Sequence, residues 1–259
     1  MVKGGLLMNR TLQEKIDLVV EWLKEKVEEA GAKGVVVGIS GGIDSALVAF
    51  LIKKAFPDDS LGVILPCKSS PKDREDALAV IKTSGIKNVE IELSEIHDTL
   101  FKNVWTELDN KQLVQNTYSM KLSDANLRAR LRMSTIYCIA NSLNYLVVGT
   151  DNAAEVYTGY FTKYGDGGVD IIPIANLRKE EVYQWARHFG VPKSVMERPP
   201  SAGLWEGQTD EDEMGTTYEM VDNHLLGKEI PEEDRKIIER LHHRSAHKRR
   251  MPDAPPKIG

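Results

Sequence analysis

The stretch Gly34-Val35-Val36-Val37-Gly38-Ile39-Ser40-Gly41-Gly42-Ile43-Asp44-Ser45 decides the fold. Its first half is a short apolar run rich in β-branched residues, the composition of a strand buried on both faces. Its second half mixes glycines with hydroxyls. The apolar segment that follows, Ala46 to Ile52, suits a buried helix. A strand that passes through a glycine turn into a helix is an anion site in waiting. Glycine lets the backbone turn tightly and approach a ligand closely. The free N–H groups at the helix start point at negative charge, and the helix dipole favours it. Ser40 and Ser45 add hydroxyl donors. Asp44 repels a phosphate but can hold a Mg²⁺ that binds one. The turn lacks the Gly-Lys-Ser/Thr ending of a Walker loop, and it is not the Gly-x-Gly-x-x-Gly dinucleotide fingerprint.

Upstream, Leu12, Ile16, Val19, Val20 and Leu23 recur at helical spacing and predict a helix over 11–30, stopped at Gly31. Downstream come a strand at 61–65, a helix over 71–84 and a third strand at 89–93. Strand and helix alternating in this way predict a parallel sheet with right-handed crossovers. A looser region over 96–115 interrupts the pattern. It resumes with a long helix over 124–142, a buried strand over 145–149 and a glycine- and aromatic-rich loop over 159–170. A helix over 177–189 follows, with Gly190 and Pro192 beyond it. Residues 198–215 read as a mobile loop, long enough to be functional rather than a mere connector. Two helices, about 216–226 and 232–243, and a proline-rich tail complete the chain. The fold class expected is α/β: three layers, α/β/α, around a parallel, Rossmann-like sheet. The C-terminal helices pack on that core, and ligands lie at the carboxyl ends of the strands. One domain is expected over 1–259, with a helical extension at about 216–247.

Composition narrows the class. Of 259 residues, 41% are hydrophobic and 28% charged, the mix of an ordinary globular domain. Thirty-four basic residues against 39 acidic ones give a net charge of −5, which disfavours a broad nucleic-acid surface. The basic run from His242 to Arg250 is open between a solvated end and a functional one. Cys67 and Cys138 are too few and too far apart for a disulfide framework or a Cys-x-x-Cys metal site. They are expected as reduced thiols in a cytoplasmic protein. No window suits a bilayer span, and the apolar run at the start is too short for a signal peptide. Trp105, Trp185 and the tyrosines read as packing residues.

Ser40-Gly41-Gly42-Ile43-Asp44-Ser45 after an apolar strand resembles the signature of the N-type ATP pyrophosphatases. These include synthetases for NAD, GMP, asparagine and argininosuccinate, and tRNA-thiolating enzymes. The resemblance implies an ATP cut between its α- and β-phosphates, with the loop cradling the departing pyrophosphate and the substrate left as an adenylate. Later motifs narrow the substrate. Leu146-Val147-Val148-Gly149-Thr150-Asp151-Asn152-Ala153-Ala154-Glu155 and Tyr160-Phe161-Thr162-Lys163-Tyr164-Gly165-Asp166-Gly167-Gly168-Val169-Asp170 closely resemble ammonia-dependent NAD synthetase. So do Asn126-Leu127-Arg128-Ala129-Arg130-Leu131-Arg132-Met133 and His247-Lys248-Arg249. Motifs in this order cover nearly the whole chain.

Residue by residue, the resemblance implies that Gly38, Ile39, Ser40, Gly41, Gly42, Ile43, Asp44 and Ser45 hold the ATP phosphates. Thr150, Lys179 and Ser201 contact ATP. Asp44 and Glu155 bind Mg²⁺. Arg130, Lys163, Asp170, His247 and Lys248 contact deamido-NAD. Asp166 receives ammonium and takes a proton. The family often carries threonine where Ser201 stands, which keeps the hydroxyl. The expected reaction is adenylation of the nicotinate carboxylate of deamido-NAD by ATP, then displacement of AMP by ammonia to give NAD. The resemblance also implies a homodimer with the dinucleotide site between subunits. Leu127, Leu131, Ile136, Ile139 and Leu143 fit such a contact or their own core equally well.

The residue types suit that chemistry. A carboxylate approaching ATP meets like charge, so Mg²⁺, Lys179 and Lys248 are needed to offset it. Arg130 and Lys163 suit a pyrophosphate-bearing substrate. By spacing alone, however, Glu155 reads as a solvated helix-start acid, and Lys163 and Asp170 are open between site and loop decoration. Arg128, Arg130 and Arg132 cannot share one helix face, so at least one is structural. Roughly thirty residues precede the first strand, too few for a glutaminase domain. Free ammonia is therefore the expected nitrogen donor. A tRNA-modifying pyrophosphatase is the nearer alternative, opposed by the missing Cys-x-x-Cys and basic surface. A non-catalytic nucleotide sensor is the more distant one.

Overall fold

The computed structural model describes residues 10–113, 117–200 and 209–256. Four strands form one all-parallel sheet in the order β3-β2-β1-β4. They are β1 (Gly34–Gly38), β2 (Ser60–Ile64), β3 (Lys87–Glu90) and β4 (Tyr145–Val147). Before β4 the chain builds α1 (Leu12–Glu29), α2 (Ile43–Ala55), α3 (Pro71–Ser84), α4 (Ser94–Asn110) and α5 (Thr117–Leu143). After it come α6 (Ala153–Thr158), α7 (Lys179–Phe189), α8 (Lys193–Met196), α9 (Asp210–Met214), α10 (Tyr218–Leu225) and α11 (Glu232–Arg244).

The strand side chains alternate between two cores, as the period of two requires. Val35 and Val37 join α1, α2 and α7 on one face, where Ile16, Leu23, Leu47, Leu51, Val182 and Trp185 are buried. Val36, Val63 and Val147 face the opposite way, against Ile136, Ile139 and Ala140 of α5. This is the three-layer α/β/α architecture expected from the sequence, and Trp185 is a packing residue. Helix starts follow local chemistry. Thr11 opens α1 and Ser70 opens α3 with reciprocal capping boxes, and Pro71 occupies the first turn of α3.

β1 and β4 are neighbours, yet β2 and β3 lie on the other side of β1. The connections therefore diverge between β1 and β4, and a crevice opens there at the carboxyl ends of the strands. A third, smaller core of Ala154, Met214, Tyr218, Val221 and Ile238 ties α10 and α11 to α6. The C-terminal helices thus brace the short helix that carries Glu155.

Three expectations need correction. The looser region over 96–115 is mostly α4. Its apolar residues Ile96, Leu100 and Val104 recur every four residues, a helical period that the expectation of an irregular region missed, and they stand 55%, 41% and 46% exposed. The third strand runs over 87–90 rather than 89–93, and all four of its residues are exposed. It is a sheet edge, where pairing rather than burial fixes the strand. Ile91 N and Leu93 N continue that pairing by donating to Ile64 O and Pro66 O at 3.0 and 2.8 Å. The loop expected over 198–215 contains α9, which Thr209 caps by accepting from Asp212 N at 3.2 Å. In addition, α5 starts at Thr117, seven residues before the expected 124.

Candidate active site

Gly41 shows why the turn after β1 is built from glycine. Its φ is +86°, and a Cβ there would lie 2.5 Å from Asp73 O, so no side chain fits. Gly42 caps α2 without a side-chain hydrogen bond, which leaves the first amides of that helix available to a ligand. The serines shape the turn. Ser45 Oγ donates to Gly42 O at 3.0 Å, Ser40 N donates to Ser45 Oγ at 3.2 Å, and Gly42 N donates to Ser40 Oγ at 3.2 Å.

The turn forms one wall of a cavity of about 620 Å³. Gly38, Ile39, Ser40, Gly42, Ile43, Asp44 and Ser45 line it, as do Thr150, Asp151, Glu155, Asp166, Lys179 and Lys248. Gly41 underlies the turn against α3. Side chains more than a hundred positions apart converge here. Asn152 Nδ2 donates to Asp44 Oδ1 at 3.0 Å, and Lys179 Nζ donates to Asp44 Oδ2 at 2.6 Å. Lys179 Nζ also lies 3.6 Å from Glu155 Oε1. Glu155 Oε2 accepts from Asn152 N at 3.0 Å within the capping box of α6, and Tyr218 OH donates to Glu155 Oε1 at 2.9 Å.

The charges respond to this crowding. Burial, reinforced by Asp44, raises the Glu155 carboxyl to about 7. Burial works against the Lys179 ammonium, but Asp44 and Glu155 outweigh it and hold Lys179 above its ordinary range. Asp151 is 6% exposed, and burial among Asp166, Glu155 and Asp44 raises its carboxyl well above the usual range. Asp166 is open to the cavity. Crowding by surrounding atoms raises its carboxyl, opposed by the bond that Thr162 N donates to Oδ1 at 3.0 Å. Burial lowers the Lys248 ammonium, which donates to Gly159 O and Phe161 O at 2.8 and 2.6 Å.

The second group of sequence-derived residues is placed differently. Of Arg130, Lys163, Asp170, His247 and Lys248, only Lys248 lines the cavity. Arg130 donates to Lys163 O at 3.3 Å, and Lys163 Nζ donates to His247 O at 2.6 Å. Asp170 accepts from Tyr137 OH at 2.9 Å and from Val147 N at 2.8 Å, tying its loop to β4. The three arginines of α5 divide as their spacing demands. Arg128 pairs with Asp124 at 2.6 Å, Arg130 points outward, and Arg132 lines the cavity while donating to Leu65 O at 3.0 Å. Leu131, Ile136 and Ile139 pack against their own core, whereas Leu143 is 41% exposed. Ser201 lies outside the described residues. Asp73, Asp151, Arg198 and Asp210 also line the cavity and were not singled out from the sequence. Only Asp151 carried a signal, its position beside Thr150 at a strand end.

A parallel sheet with a glycine–hydroxyl turn after β1, facing two carboxylates and a lysine, is the arrangement that the resemblance to the N-type ATP pyrophosphatases implies. Comparison with known proteins narrows the class. The family described as NAD synthase matches residues 15–252. The NH(3)-dependent NAD(+) synthetase of Alkaliphilus oremlandii is 64% identical, over 97% of this chain and 100% of that relative. The solved structure described as NMN synthetase from Francisella tularensis is 38% identical, with a TM-score of 0.87, over 96% of this chain and 100% of that one. The NH3-dependent NAD synthetase from Campylobacter jejuni is 30% identical, with a TM-score of 0.74, over 95% and 99%. The chain belongs to the NAD synthase family.

Proposed function

We propose that this protein is an ammonia-dependent NAD synthetase, a ligase forming a C–N bond in the last step of NAD biosynthesis. The carrying observation is the single cavity that unites the Gly38–Ser45 turn with Asp44, Glu155 and Lys179. In the first step a nicotinate carboxylate oxygen attacks the α-phosphorus of ATP. The bond to the bridging oxygen breaks and pyrophosphate leaves. In the second step ammonia attacks the acyl carbon, the C–O bond to AMP breaks, and a proton is lost from nitrogen.

The amides and hydroxyls from Gly38 to Ser45 receive the phosphates, with Thr150, Lys179 and Ser201 as further ATP contacts. Arg130, Lys163, Asp170, His247 and Lys248 receive deamido-NAD. A homodimer would complete the parts of that site that stand outside the cavity of one chain. Asp166 takes the proton from ammonium, which suits an acid whose affinity for protons is already raised.

Mg²⁺ fits Asp44 and Glu155. Both are hard oxygen donors facing the cavity, and the place between them already holds one positive charge, that of Lys179. No group of three or more His, Cys, Asp or Glu side chains that could hold a metal occurs among the described residues, so two carboxylates would share the ion with phosphate and water. When bound it supplies charge neutralisation at the phosphates.

Free ammonia is the proposed donor, in keeping with the NH(3)-dependent relatives at 64% and 61% identity. No helix among the described residues is long and apolar enough to cross a membrane, and the proposed setting is cytoplasmic. Nucleic acid is not a proposed partner. The relative from F. tularensis, described as an NMN synthetase, favours a second reading in which the acid is nicotinate mononucleotide. One experiment tests both. Protein, Mg·ATP and ammonium are mixed with deamido-NAD or with nicotinate mononucleotide, and products are quantified. NAD and AMP in equal amounts, with far slower turnover of the mononucleotide, support the first reading. Preference for the mononucleotide supports the second, and no amide product from either overturns both.

A further inference from the structure

Tyr218 is 4% exposed and does not line the cavity, yet it touches two of the groups that do. Its hydroxyl lies 2.9 Å from Glu155 Oε1, and its ring lies 4.5 Å beneath Lys179 Nζ. Glu155 is a long side chain on a helix of six residues, and its other oxygen is already committed to Asn152 N. The oxygen that faces the Lys179 ammonium, and so the place proposed for the cation, is the one that Tyr218 orients. Lys179 is held from three sides, by Asp44, by Glu155 and by the negative face of the Tyr218 ring.

Tyr218 is itself held. Its hydroxyl lies 3.0 Å from Asp210 Oδ2, and Asp210 Oδ1 accepts from Tyr160 OH at 3.2 Å. A phenol has one proton, so two carboxylates share a single donor and each limits how far it can turn. Asp210 belongs to α9 and Glu155 to α6. The hydroxyl thus bridges the C-terminal helices to the phosphate side of the cavity.

We propose that Tyr218 is a positioning residue for the ATP half-reaction, its hydroxyl aiming Glu155 Oε1 at the bound cation and its ring fixing the Lys179 ammonium over the same place. The inference rests on Glu155 being the metal ligand proposed above. Loss of an outer-shell partner of a ligating carboxylate typically costs about 10–100-fold in metal affinity.

The test uses the full chain and separates hydroxyl from ring. Tyr218→Phe keeps the ring, its packing and its contact with Lys179. It is expected to bind Mn²⁺ about 10-fold more weakly in an ATP-containing spin-resonance titration, and to need about 10-fold more Mg²⁺ for half-maximal rate. The loss of rate at saturating Mg²⁺ is expected to be smaller than the rise in Mg²⁺ requirement. Tyr218→Leu removes the ring as well and is expected to raise the KM for ATP too; an unchanged KM overturns the Lys179 half. Original Mn²⁺ affinity in Tyr218→Phe, with Mn²⁺ binding lost in Glu155→Ala, overturns the inference and leaves the metal role standing. Intact Mn²⁺ binding in Glu155→Ala overturns both. A lower thermal midpoint in Tyr218→Phe with neither metal curve shifted makes Tyr218 a packing residue and also overturns it.

Discussion

The two halves of the proposed site are built in opposite ways. On the phosphate side, Asp44, Glu155 and Lys179 are buried or nearly so, and each takes a partner from a different element. On the dinucleotide side, Arg130, Lys163 and Lys248 donate to backbone carbonyls, and Asp170 ties a tyrosine and a strand amide. The first arrangement sets two carboxylates around one buried ammonium. The second satisfies its groups locally and keeps most of them off the cavity wall. The contrast teaches that the cluster of Asp44, Glu155 and Lys179 stands formed within one chain, whereas Arg130, Lys163, Asp170 and His247 do not meet in its cavity.

The strongest way to break this contrast is to empty the phosphate side. Asp44→Ala and Glu155→Ala are each expected to lower the rate of NAD formation by about 1,000-fold or more while keeping the circular-dichroism spectrum of the original. Near-normal turnover in either would remove its role. Chelation by EDTA should match that loss and reverse on adding Mg²⁺.

Lys179→Ala sharpens the same side. It leaves two facing carboxylates without their cation, so the empty protein should lose about 3 kcal/mol in denaturant unfolding. Because a divalent ion restores positive charge between them, millimolar Mg²⁺ should return part of that stability to the variant and much less to the original. An equal Mg²⁺ effect on both proteins would argue against a shared place for lysine and metal.

The other side predicts a smaller and differently shaped loss. Lys163→Ala is expected to raise the KM for the dinucleotide by about 10-fold, with the KM for ATP unchanged. Equal effects on both substrates would erase the distinction between the halves.

The smallest effect concerns protons. In the folded, metal-free chain the Glu155 carboxyl is raised from 4.5 to about 7, so the folded state binds more protons than the unfolded state between those values. Stability from this group is therefore fully present below about 4.5 and is lost as pH rises through about 7. Glu155→Gln should flatten that part of the thermal-midpoint profile; an unchanged slope would assign the titration to other acids.

Much of this was legible in the chain. The unbroken apolar run of Val35, Val36 and Val37 before the glycine turn marked a buried parallel strand leading into a helix. The helical spacing of Leu12, Ile16, Val20 and Leu23 marked the first helix. α4 was readable in the four-residue spacing of Ile96, Leu100 and Val104 although irregular chain was expected there, and β3 was misplaced because pairing rather than an apolar pattern fixes an edge strand.

The sequence alone determined the local pattern: which strand ends in a glycine–hydroxyl turn, which strands are apolar, and which motifs resemble the NAD synthetases. Periodicity and composition act over one or two turns of chain, so they carry that information. Tertiary structure alone decided that Lys179 lies between Asp44, 135 positions away, and Glu155, and that Tyr218 stands behind them. It also decided that most of the dinucleotide residues stand outside the cavity wall. Those meetings depend on how crossovers pack across the sheet, and no local pattern encodes the distance between side chains that far apart.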